Sequence, residues 1–233
     1  MQALYDKVKR ADPKLVRELV RGSAERLSPV VEAMRGAPSP PLKGYQVRII
    51  DGNHLPASEK RLKPLRAFRG AALPGQSLVV YDPATDIVTD IVPCEDGHAN
   101  ERSLMGPLLR QAQAGELWIA DRNFSTLEIL CGWHERGCGF IVREHGCSPH
   151  PRDSGPWCRA GRIATGVVQE QAVTLDGATG HSIALRRIEV HLETPTEDGA
   201  TVIRLLTNLP GAQFNGRKVA RLYRRRWSIG VSR

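Results

Sequence analysis

No apolar run in this chain approaches the roughly 20 residues that a membrane span needs, and nothing at its N-terminus resembles a signal peptide. There is no Cys-x-x-Cys pair and no internal repeat. The five cysteines, Cys94, Cys131, Cys138, Cys147 and Cys158, are odd in number and unevenly spaced, so they do not read as a disulfide framework. Cys147, His150 and Cys158 share a Pro/Gly-rich loop, but without a paired-cysteine spacing zinc is a weak reading. These absences lead to the expectation of a soluble, cytoplasmic protein with reduced thiols and no membrane partner.

What is present is enough for a core. With 233 residues, 41% of them apolar, the chain can form one good-sized domain or one domain with an insertion. The formal charge of +8 and pI of about 9.6 favour an acidic polymer as partner. The placement of that charge says more. Arg217, Lys218, Arg221, Arg224, Arg225 and Arg226 fall within one short stretch that contains no acid. A solvated helix face accounts for some of them, but together they repel one another unless an anion lies alongside.

The most informative stretch is Glu116 to Phe124, reading ELWIADRNF. Leu117, Trp118, Ile119 and Ala120 look like a strand buried on both faces, and Asp121 leaves it at the edge where α/β sheets place ligands. Val47 to Ile50, closing on Asp51 and Gly52, has the same form. If the two strands pair, two carboxylates come together. Two unrelated aspartates that merely begin loops is the open alternative.

Residues 1 to 35 carry helical periodicity through Leu4, Val8, Leu15, Leu19, Leu27, Val30, Val31 and Met34, and the breaks at Pro13 and Ser28-Pro29 predict two or three short helices. Ser77 to Tyr81 and Ile87 to Val92 form a hairpin around Asp82-Pro83-Ala84-Thr85-Asp86. A helix over residues 99 to 114 leads to the strand ending in Asp121. Ser125, with Glu128, is the expected cap of the next helix, and residues 139 to 143 form a strand. Residues 145 to 162 read as loop, 166 to 174 and 182 to 192 as strands of a small β-rich insertion, 201 to 206 as a buried strand, and 216 to 229 as a basic helix. The expected class is α/β, a ribonuclease H-like mixed sheet with a β-rich insertion and an N-terminal helical segment. Its expected divisions are 1–41 helical segment and linker, 42–145 first part of the core, 146–199 insertion, and 200–233 second part of the core.

Three blocks resemble the DDE transposases of bacterial insertion sequences, in the branch called IS-four. Asp51-Gly52-Asn53-His54-Leu55 resembles the first aspartate block and Ala120-Asp121-Arg122-Asn123-Phe124 the second. The third, Tyr-x-x-Arg-x-x-x-Glu-x-x-x-x-x-x-Lys, begins with Tyr223 and Arg226, with Trp227 and Ile229 in place and Leu205 to Leu209 before it. The resemblance implies metal-dependent cleavage of DNA and strand transfer at insertion-sequence ends. It implies two Mg²⁺ or Mn²⁺ ions held by Asp51 and Asp121, and DNA phosphates held by Tyr223 and Arg226, with Arg221, Arg224 and Arg225 on the same helix. A homodimer on DNA is a further expectation. The catalytic glutamate of the family falls at Gly230 and its lysine beyond Arg233, so a truncated, inactive copy is expected. Glu128, Glu144 and Asp96 are conceivable substitutes that no spacing favours, and His54 and His98 read as structural. The alternative is a non-catalytic DNA-binding fragment that inhibits full-length transposase.

Overall fold

The structure, a computed structural model, describes residues 12–34, 42, 44–54, 76–94, 99–147, 149–177 and 180–226. It divides into two units, one of Met1–Lys43 with Ile50–Arg110, the other of Gly44–Ile49 with Gln111–Arg233. Strand β1 (Gln46–His54) contributes to both.

In the first unit β1 is followed by the hairpin of β2 (Gln76–Asp82) and β3 (Ile87–Cys94), in the order β3-β2-β1. The expected turn forms. The Asp82 carboxylate accepts a bond from the Ala84 amide at 2.8 Å, and Asp86 takes a left-handed φ of 62° that aspartate tolerates. Helix α1 (Pro13–Met34) packs on β3. It begins at Pro13, one of the two expected breaks, but runs unbroken through the other, with Pro29 inside it; residues 1–11 of the expected helical segment lie outside the described residues. Pro13 opens it, where a missing N–H costs nothing, and the Asp12 carboxylate accepts from the Lys14 amide at 2.9 Å.

The apolar positions of α1 do not all turn inward. Ala24 is buried and Arg17, Val20, Arg21 and Val31 are half-buried, whereas Leu15, Leu19, Leu27, Val30 and Met34 are exposed. Arg17 explains the choice. Its Nε and Nη2 donate to the two oxygens of Asp90 on β3 at 2.8 and 2.7 Å, a bidentate pair largely shielded from water. The unit closes with a 3-10 turn (Glu101–Leu104), capped by Asn100, and the start of α2 (Met105–Gln111), which buries Met105, Leu108 and Leu109.

In the second unit the strand order is β1-β4-β5-β10-β9-β8-β6, with β7 also on β8. The strands are β4 (Glu116–Ala120), β5 (Gly139–Arg143), β6 (Arg152–Asp153), β7 (Cys158–Ile163), β8 (Gly166–Asp176), β9 (Ser182–Leu192) and β10 (Val202–Thr207). β1, β4 and β5 are parallel and the remaining pairs antiparallel. This is the mixed, ribonuclease H-like sheet expected. β6 and β7 correct the reading of residues 145 to 162 as pure loop. Helix α3 (Leu127–Glu135) covers β5, stacking Trp133 against Trp118 with ring centroids 5.6 Å apart. Its cap is Thr126, whose hydroxyl accepts from the Ile129 amide, and not Ser125.

Thr207 and Asn208 tie the end of β10 to β5. The Asn208 amide accepts from the Phe140 amide at 2.9 Å and donates to the Cys138 carbonyl at 2.8 Å, while the Thr207 hydroxyl donates to the Phe140 carbonyl at 2.7 Å. Asn208→Ala leaves one donor and one acceptor of the strand start without partners. It should cost about 2–3 kcal/mol in thermal or denaturant unfolding; a loss under about 0.5 kcal/mol would show that water replaces the amide.

Candidate active site

β4 has parallel neighbours on both sides, which is why its run from Leu117 to Ala120 is buried and wholly apolar. The chain emerges at Asp121 and turns at once into a 3-10 turn (Arg122–Phe124). Asp121 occupies the N-cap place of that turn, yet its side chain caps nothing. Instead Oδ1 accepts a bond from the Tyr223 hydroxyl at 3.3 Å and lies 3.7 Å from the Arg226 guanidinium. Oδ2 accepts no hydrogen bond among the described residues, and the side chain remains 28% exposed. An aspartate with a cap to make, turned away from it, is placed for another purpose.

Tyr223 reaches Asp121 because of how α4 (Gly216–Arg224) sits. Asn215 caps it, its carboxamide oxygen accepting from the Lys218 amide at 3.0 Å. Val219, Ala220, Leu222 and Tyr223 form the inner face, while Arg217, Lys218, Arg221 and Arg224 face outward, followed by exposed Arg225. Burial pushes the Tyr223 phenol well above its usual pKa; the Arg226 charge opposes this and Asp121 adds to it. Tyr223 therefore keeps its proton and serves as a hydrogen-bond donor to Asp121. The guanidinium of Arg226 lies 5.9 Å from the centre of the same ring. Motif blocks 102 residues apart thus meet at one carboxylate.

The family model for the transposase DDE domain matches residues 42–229. The chain belongs to this family. No curated protein matches it. Membership implies DNA phosphoryl transfer as the general activity of such domains and DNA as their partner, and no described helix of this DDE domain is long and apolar enough to cross a membrane.

Arg122, the residue after Asp121, lines a cleft of about 550 Å³ in the DDE domain together with Arg143, Glu144, Trp157, Arg187 and Arg204, among others. Arg187 organises one wall, donating to both oxygens of Glu144 and, through Nη1, to Asp153 at 2.7 Å. Arg204 Nε donates to Glu189 at 2.6 Å. Glu144 is thereby committed to Arg187, and Glu128 sits in the first turn of α3. Sequence reasoning missed Arg143, Arg187, Arg204 and Trp157, which come from separate strands and loops and share no spacing.

Asp51, in the other unit, is a half-buried residue near the end of β1. Gly52 beside it admits the Glu101 side chain so closely that a Cβ there would fall 2.0 Å from Oε1. The glycine of the first block is accounted for by that approach. Among the described residues no group of three His, Cys, Asp or Glu side chains could hold a metal, Cys147, His150 and Cys158 included. Mg²⁺, however, is commonly bound by one or two carboxylates plus waters, and the unbonded Oδ2 of Asp121 fits such a ligand. Asp96, His98, Trp227, Ile229 and Gly230, and the side chain of His54, lie outside the described residues.

Proposed function

We propose that this is a transposase of the IS-four branch, descended from a protein that cuts DNA and joins the ends of an insertion sequence to a target, and that the copy itself is inactive. The observation that carries this reading is the meeting of the second and third motif blocks at Asp121, with Tyr223 and Arg226 both on Oδ1. Asp51 and Asp121 supply the carboxylates for Mg²⁺ or Mn²⁺. In support, β1 and β4 run parallel with Gln46 opposite Glu116 and Ile49 opposite Ile119. When bound, divalent ions stabilise charge on the entering and leaving oxygens of a phosphodiester. The chain's own contribution is to hold the Asp121 carboxylate through a hydrogen bond from Tyr223 and to present the α4 cations to phosphates.

Inactivity follows from Gly230, which stands where the third carboxylate belongs. With Glu144 held by Arg187, no described acid beside Asp121 replaces it, and the second ion lacks a charged ligand. Supercoiled plasmid incubated with the purified chain and Mg²⁺ or Mn²⁺ should be nicked no faster than in buffer. Nicking that Asp121→Asn abolishes would overturn the inactivity. The second reading, a DNA-binding inhibitor of full-length transposase, is favoured by the intact cationic face of α4. It predicts that the chain lowers transposition by an active relative of the same element when the two are co-expressed.

A further inference from the structure

Both groups that reach Asp121 use the same oxygen. Tyr223 donates to Oδ1 from a phenol that is 2% exposed, and the Arg226 guanidinium stands 3.7 Å from that oxygen with its side chain 12% exposed. Arg143 lies near enough to act on the Tyr223 phenol electrostatically. The carboxylate is therefore balanced by fixed positive charge of the protein before any cation arrives. A divalent ion on Oδ2 would stand within a few ångströms of a guanidinium already paired with the same group, and the repulsion between them is about twice that of two unit charges at equal distance.

We propose that Arg226 occupies the place of the divalent cation's charge at Asp121, so that the cation and the guanidinium compete for this carboxylate while Tyr223 keeps Oδ1 oriented in both states. The proposal rests on the reading of Asp121 as a cation ligand. Its consequence is an order of events. Cation affinity is held down until an anion draws Arg226 off Asp121, and a DNA phosphate backbone beside α4 is such an anion. DNA and cation binding are then coupled, each raising affinity for the other. A guanidinium suits this because its charge is permanent and its fork of N–H donors matches either carboxylate or phosphate.

The test is Mn²⁺ affinity of the full chain, measured by titration calorimetry or electron paramagnetic resonance, with melting curves confirming that each variant is folded. Arg226→Gln should bind Mn²⁺ about three- to tenfold more tightly than the unsubstituted chain. Arg226→Lys, which keeps the charge, should stay near the original value, as a merely structural role for Arg226 would not require. A short duplex should raise the affinity of the unsubstituted chain and leave Arg226→Gln nearly unchanged. Binding that appears only in Arg226→Gln also supports the competition. If Asp121→Asn abolishes binding while Arg226→Gln binds equally or more weakly, the competition is wrong and the ligand reading stands. If Asp121→Asn binds like the unsubstituted chain, the ligand reading itself fails, and the proposal with it. Absence of binding in every variant overturns the proposal.

Discussion

Replacing Arg221, Arg224 and Arg225 together by alanine is expected to weaken binding to duplex DNA by about a hundred- to thousandfold near 0.1 M salt, and to flatten the plot of log affinity against log salt by nearly three units. All three are exposed, on α4 or just after it, while the buried side of that helix is made by Val219, Ala220, Leu222 and Tyr223. The substitutions therefore remove charge while leaving the buried side chains of α4 unchanged, and alanine is a good helix former. Contacts of guanidinium groups to phosphates release counterions and read no bases, so the loss should be the same on any duplex sequence. Arg226 is left out because it is engaged with Asp121. Fluorescence anisotropy at several salt concentrations reads both quantities; an unchanged slope would mean that DNA lies on another face.

The largest effect on stability should come from Gly166→Ala, a loss of about 3 kcal/mol or more and a fall in melting temperature of about 10 °C. Gly166 opens β8 at φ +156°, and a Cβ there would lie 1.9 Å from the His191 carbonyl oxygen and 2.8 Å from its carbon. Every near neighbour is backbone, so no side chain can swing aside. The strand beside it must move, and that strand, β9, is hydrogen-bonded to both β8 and β10. Gly180→Ala is the control. It has φ +81° but nothing within 4 Å, and should cost only the backbone penalty of about 1–2 kcal/mol. Equal losses at the two positions would remove the steric argument.

The parts of the fold that were legible in the sequence are those in which one local signal dominates. The run Leu117 to Ala120 could only be a strand buried on both faces, and the Asp82 to Asp86 turn carried its own chemistry. Where signals compete, neighbours decide. Ser125 and Thr126 are both good caps, and the second is used. Pro29 was weighted as a helix breaker, but α1 continues through it while packed on β3. The apolar periodicity of α1 marked a helix but not its buried face, on which Arg17 pairs with Asp90. β7 escaped notice because Cys-Arg-Ala-Gly-Arg-Ile has no alternation to find.

The site divides in the same way. The aspartate that follows β4 was visible from its strand, and Tyr223 and Arg226 were singled out by the resemblance to a family as phosphate contacts, but their meeting with Asp121 was not foreseen. Arg187 illustrates what neither route provides. Its role as the link between Glu144, Asp153 and the cleft wall depends on three segments brought together by the antiparallel sheet.

Helix α1 has one more outcome, a colloidal one. Leu19 is 62% and Met34 81% exposed, on the outward side of a helix whose inward side is fastened by an ion pair. Apolar area of that kind in water favours clumping between molecules. The dependence on electrolyte then runs opposite to that of the cationic helix: ions that loosen the hold on nucleic acid also quiet the mutual repulsion of a chain carrying +8. Salt high enough to weaken any binding of DNA is therefore expected to be the condition in which the chain associates with itself most readily.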